Sequence, residues 1–76
     1  MSHLVNTLSP DIWFAQLFAT KSAQRGGVVR RAIRDVERIM GRAAFETRVR
    51  ERGFQAIENG DQYVILCNRL PVRLIR

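Results

Sequence analysis

The chain has 76 residues, 46% of them hydrophobic, one cysteine and a formal net charge of +6. A chain this short makes one domain at most, buries only about 60% of the surface its unfolded form exposes, and draws only modest stability from its own core. Cys67 alone excludes a disulfide framework and a multi-cysteine zinc site, and no apolar run approaches the roughly 20 residues that span a bilayer.

The N-terminus, MSHLVNTLSP, lacks the basic start and long apolar run of a secretory signal. Residues 1–8 read as a flexible tail on a soluble, single-domain protein, and the cysteine usage suits a reducing cytoplasm. Ser9-Pro10-Asp11 is a helix start, with a capping hydroxyl, a proline suited to the first turn and an acid that complements the dipole. The following apolar residues predict a first helix over 10–21. Trp13, Phe14, Leu17 and Phe18 fall within about 140° of its wheel. A stripe so aromatic reads first as core. The competing reading is a docking anchor for a partner protein or a bilayer surface.

Residues 22–27 form a turn with a flexible Gly26-Gly27 pair. In the next segment Val29, Ile33, Val36 and Met40 recur at steps of four, three and four, and cover about 60° of a helical wheel. Arg30, Arg31, Arg34, Arg38 and Arg42 spread over about 120° on the opposite side. This spacing predicts a second helix over 28–40 that ends at Gly41. A short strand before Asp35 is the minority reading, suggested by Val28-Val29. Residues 42–52 predict a third helix with Phe45 and Val49 facing inward and Gly53 at its end. FQAIE and QYVILC then predict strands at 54–58 and 62–67, joined at Asn59-Gly60, a strong hairpin signal. YVILC is apolar on both faces and so belongs at the centre of a sheet or under cover on both sides. The tail Leu70–Ile75 could add an edge strand, where Pro71 is tolerated. The fold class is therefore α+β: three short helices, a β-hairpin and a possible third edge strand, in winged-helix-like order. The expected core is Phe14, Leu17, Val29, Ile33, Val36, Met40, Phe45, Val49, Ile57, Val64 and Leu66.

Charge is confined. Residues 21–52 hold ten of the thirteen basic residues and four of the seven acids, a surplus equal to the whole net charge. A field of that kind attracts phosphate-rich or acidic partners; the bland alternative is an arginine-rich solvated helix face.

Catalysis finds little support. His3, the one histidine, sits near the N-terminus, and Cys67 lies in an apolar strand, where a thiol is inert filling. The carboxylates of residues 21–52 each have arginines within a helical turn, and Gly26-Gly27 lacks the lysine of a phosphate loop. The expectation is a non-catalytic binding protein without cofactor or metal. The helix, helix, hairpin order resembles a winged helix-turn-helix, whose last helix enters the major groove. In that reading Arg42, Arg48, Arg50 and Arg52 meet phosphates or guanine edges, while Arg30, Arg31, Arg34 and Arg38 add backbone contacts. The second reading is a small accessory subunit docked on a larger protein or membrane-associated complex through Trp13, Phe14, Leu17 and Phe18, its arginine face meeting acidic protein or anionic lipid. A third is a homodimer through the seam of the second helix.

The runs DVERIMGRAAF (35–45) and RGFQAIENGDQYVILCN (52–68) resemble short bacterial proteins called phosphoribosylanthranilate isomerase. The resemblance covers about the second half of the chain and includes no catalytic motif. That enzyme is a (β/α)₈ barrel of about 200 residues or more, which this chain is too short to form. The expectation is that such a name is inherited by error or genome position, and no site residue carries over.

Overall fold

The computed structural model describes residues 9–75; the expected flexible tail 1–8, with His3, lies outside them. The elements are α1 (Pro10–Leu17), α2 (Lys21–Gln24), β1 (Val28–Ala32), α3 (Ile33–Ile39), α4 (Arg42–Glu51), β2 (Gln55–Asn59) and β3 (Gln62–Leu66). The class is α+β, with helices packed on a three-stranded antiparallel sheet of order β1-β3-β2. Among the described residues no helix is long and apolar enough to cross a membrane.

The first helix starts where the sequence says it should: Ser9 Oγ accepts from the amide of Ile12 at 3.1 Å, and Pro10 opens the helix. It stops at Leu17, four residues earlier than the pattern predicts. Thr20 is the cause. Its hydroxyl donates to the carbonyl of Leu17 and accepts from the amide of Ala23, so one side chain closes α1 and caps α2.

The larger departure is at 28–40. The first five residues are not helix but β1, which pairs with β3 in the register Val29↔Ile65 and Arg31↔Tyr63. Helix α3 begins only at Ile33, whose amide donates to the carbonyl of Asp61 in the hairpin turn at 2.9 Å. The apolar positions that suggested one long helix, Val29, Ile33 and Val36, are all buried. They reach the same core through a strand and then a helix, so the face was right and the element wrong. β1 also supplies the third strand of the sheet; the tail 70–75 does not.

The hairpin forms at Asn59-Gly60-Asp61, with Asn59 opposite Gln62 and Gly60 at φ +61°. Positive φ at Gly60 alone is the pattern a II′ turn requires of its first central residue. The register puts Tyr63, Ile65 and Cys67 inside and turns Val64, Leu66 and Ile57 to the sheet's other face. The expected core had chosen the opposite face of β3. A strand apolar on both sides leaves that choice to its partners, and a one-residue shift moves every side chain across. Of the two placements expected for YVILC, the central one holds, since β3 is the middle strand.

The core is Phe14, Leu17 and Phe18 from the first helix, Ala23, Val29, Ile33, Val36, Phe45, Val49, Tyr63, Ile65 and Cys67, with Trp13, Met40 and Phe54 packed against it. Phe45 is its centre. Its ring stands 4.9 Å from that of Tyr63, 5.9 Å from Phe14 and 6.4 Å from Trp13. The seam proposed for a helix-two dimer is thus spent within the molecule: Val29, Ile33 and Val36 face this core.

Candidate nucleic-acid interface

Helices α3 and α4 meet at Met40-Gly41. The amides of both residues donate to the carbonyl of Val36 at 2.9 Å, closing α3, and Gly41 takes φ +85°, ψ 149° as the first residue before α4. A conformation of this kind is open essentially to glycine alone. One residue therefore suffices to turn the chain from one helix to the next. The hairpin β2–β3 follows α4 directly and packs beside it. The helix pair followed by an adjacent hairpin keeps the order that the sequence suggested, while the strand β1 and the short α2 before the pair depart from it.

The eight arginines of the expected face do not act alike. Arg42 Nη2 lies 2.6 Å from Glu58 Oε1, its Nη1 is 3.8 Å from Glu37, and the guanidinium stands 5.7 Å from the ring of Tyr63. The hydrogen bond to Glu58, then its charge, raises the Arg42 pKa. Arg48 Nη1 is 2.5 Å from Asp11 Oδ1, and its guanidinium covers the ring of Phe14 at 4.6 Å. Arg52 stacks on Phe18 at 4.6 Å and on Phe14 at 5.8 Å. These three clamp α4 to the hairpin on one side and to α1 on the other. Arg38 pairs with Asp35 at 3.0 Å.

The remaining four carry no ion pair among the described residues. Arg31, half-buried, donates to the carbonyl of Arg30 at 2.6 Å. Arg50 donates to Thr47 Oγ1 at 3.3 Å from the exposed side of α4. Arg30 and Arg34 are exposed on β1 and α3. Arg34 borders a cleft of about 270 Å³ with Ala32, Ile33, Asp61 and Gln62. Lys21 and Arg25, exposed in and just after α2, were not among the expected site residues, yet α2 packs against β1 and they add to its charge. Their membership in the basic stretch was the signal.

The outward side of α4 is otherwise small and neutral: Ala43, Ala44 and Thr47, with Glu51 beyond. The hairpin has Glu58 and Asp61 and no lysine or arginine from Gln55 to Leu66. Its charge repels phosphate. A second cleft, of about 380 Å³, separates α4 from the hairpin and is lined by Glu46, Val49, Arg50, Phe54, Gln55, Ala56, Glu58 and Tyr63. Both carboxylates there are engaged, Glu58 by Arg42 and Glu46 by the Tyr63 hydroxyl at 2.5 Å.

The proposed docking residues are placed differently from that proposal. Phe14, Leu17 and Phe18 are buried in the domain's own core and Trp13 is half-buried, leaving Ile12 as the exposed large apolar residue of α1. Burial pushes the Cys67 thiol pKa up, against a smaller opposing effect of Arg52. A thiol so placed is a poor nucleophile. No family model, curated protein or solved structure matches this chain.

Proposed function

We propose that the protein binds nucleic acid through its sugar–phosphate backbone, with Arg30, Arg34 and Arg50 as the principal contacts and little discrimination between bases. The observation that carries this reading is the division of the arginines. Arg42, Arg48 and Arg52 are held by Glu58, Asp11 and two aromatic rings, whereas Arg30, Arg34 and Arg50 are exposed and paired with no carboxylate among the described residues. They lie on the α3–α4 helix pair and the strand that leads into it. Ala43, Ala44 and Thr47 let α4 approach a groove closely but supply few polar groups to read base edges. The acidic hairpin contributes no phosphate contact and sets which way the duplex can lie.

The test is the affinity of nuclease-treated protein for a duplex as salt is raised. Three phosphate contacts give a slope of log K against log salt of about −3. Each replacement of Arg30, Arg34 or Arg50 by Gln reduces that slope by about 1, uniformly across sequences. A slope near zero for the unaltered protein would sink the proposal.

A further inference from the structure

Seven large hydrophobic residues are exposed: Ile12, Val28, Ile57, Leu70, Val72, Leu74 and Ile75. Six of them belong to two places, the outer face of the sheet and the tail after β3. On the sheet, Val28 stands opposite Leu66, and Ile57 opposite Val64. Together they make an apolar patch, bordered on β1 by Arg30 opposite Val64, that no helix among the described residues covers. The tail residues Leu70, Val72, Leu74 and Ile75 are 49–85% exposed in an extended segment without secondary structure. Neither surface is satisfied by the other within one molecule.

We propose that two copies of the chain associate by exchanging these tails, residues 70–75 of each adding as an antiparallel strand to the free edge of the other's β2. Three features of the molecule select this occupant. First, β2 is an edge strand, since the sheet order is β1-β3-β2. Its outer row of backbone groups faces no strand among the described residues, and such an edge is a template for another chain. The basic side chains that guard β1, Arg30 and Arg31, have no counterpart on β2.

Second, the alternation of the tail matches that edge. Leu70, Val72 and Leu74 on the outer side extend the apolar face at Ile57. The same register turns Pro71, Arg73 and Ile75 to the inner side. There β2 presents Ala56 and Glu58, and the half-buried Phe54 lines the adjoining cleft. Arg73 meets an acidic hairpin, and the apolar pair meets Ala56 and Phe54.

Third, the tail leaves the sheet beside the first residue of its own β2. Gln55 Nε2 donates to the carbonyl of Leu70 at 2.6 Å, and Asn68 Oδ1 accepts from the amide of Leu70 at 3.0 Å. The tail thus departs from the beginning of β2, and could pair with that strand only in parallel. The antiparallel ladder, the more stable of the two, is open only to a second copy.

The inference does not depend on the nucleic-acid reading, and its test uses nuclease-treated protein with no nucleic acid present. Light scattering of the full chain is expected to give twice the monomer mass at high micromolar concentration. Truncation after Arg69 removes the tail and Ile57→Lys blocks the edge with a charge at an exposed position. Both variants are expected to be monomeric with the circular dichroism of the full chain. The decisive arm mixes them, because the truncated chain keeps an open edge and Ile57→Lys keeps a tail; a one-to-one complex is expected. A monomeric full chain, a dimeric truncation, or a mixture that stays monomeric overturns the proposal.

Discussion

At Tyr63 three demands meet. The ring packs on Phe45, the hydroxyl donates to Glu46, and the guanidinium of Arg42 lies over the ring. Burial, chiefly, and then the bond to Glu46 push the phenol pKa up to about 12. The unfolded chain ionises near pH 10. Between about pH 10 and 12 the folded state therefore holds a proton that the unfolded state has lost, so stability is full below that window and falls as pH rises through it. The Cys67 thiol, raised by burial, starts the same decline at lower pH. Denaturant unfolding at steps from about pH 8 to 12 should show stability falling in two stages. Tyr63→Phe should cost about 1 kcal/mol at neutral pH through the lost hydrogen bond and should flatten the upper stage. Since Tyr63 is the one tyrosine, an unchanged upper stage in that variant would assign it to another group.

Among the elements, those with a local cause were legible. Ser9 and Pro10 announce α1, the spacing of Phe45 and Val49 announces α4, and Asn59-Gly60 announces the hairpin. The strand β1 was not, because Val29, Ile33 and Val36 satisfy a helical wheel as well as they satisfy a strand followed by a helix. What decides is Ile65 opposite Val29 and the Asp61 carbonyl at Ile33, both some thirty residues away. The site shows the same limit. Positive charge in residues 21–52 could be read directly, but the partner of Arg48 is Asp11 and that of Arg42 is Glu58, and no local spacing joins them. The turn between α3 and α4 was legible as a stop at Gly41, and its geometry gives a clean test. A Cβ there would meet nothing within 4 Å, so a substitution is opposed by backbone conformation alone. Gly41→Ala should cost about 1–3 kcal/mol, with each kcal/mol lowering Tm by about 4–8 °C in a domain of this size. Thermal unfolding that matches the unaltered protein would mean that the α3–α4 turn relaxes without this conformation.

For the whole molecule, the arginines divide into those held by carboxylates or rings and those left exposed, and in the proposed reading only the second group binds nucleic acid. Arg48 contributes an exposed ion pair, worth up to about 1 kcal/mol, and a guanidinium–ring contact worth about 0.5–1 kcal/mol. Arg52 contributes ring contacts on Phe18 and Phe14. Both hold α1 against α4, far in sequence and adjacent in the fold. Replacing either by Ala should lower Tm by several degrees and leave the salt slope of nucleic-acid binding nearly intact. The triple replacement of Arg30, Arg34 and Arg50 by Gln should do the reverse. These side chains are exposed and unpaired with acids, so their loss removes like-charge repulsion as readily as attraction, and stability should change little. Measuring Tm and salt slope on the unaltered protein, the two alanine variants, the triple variant and Arg34→Gln separates the two roles, because a general effect of net charge would move both quantities in proportion to the charge removed. If Arg48→Ala flattens the slope as much as Arg34→Gln does, its bridge to Asp11 opens on binding and the division by partner fails.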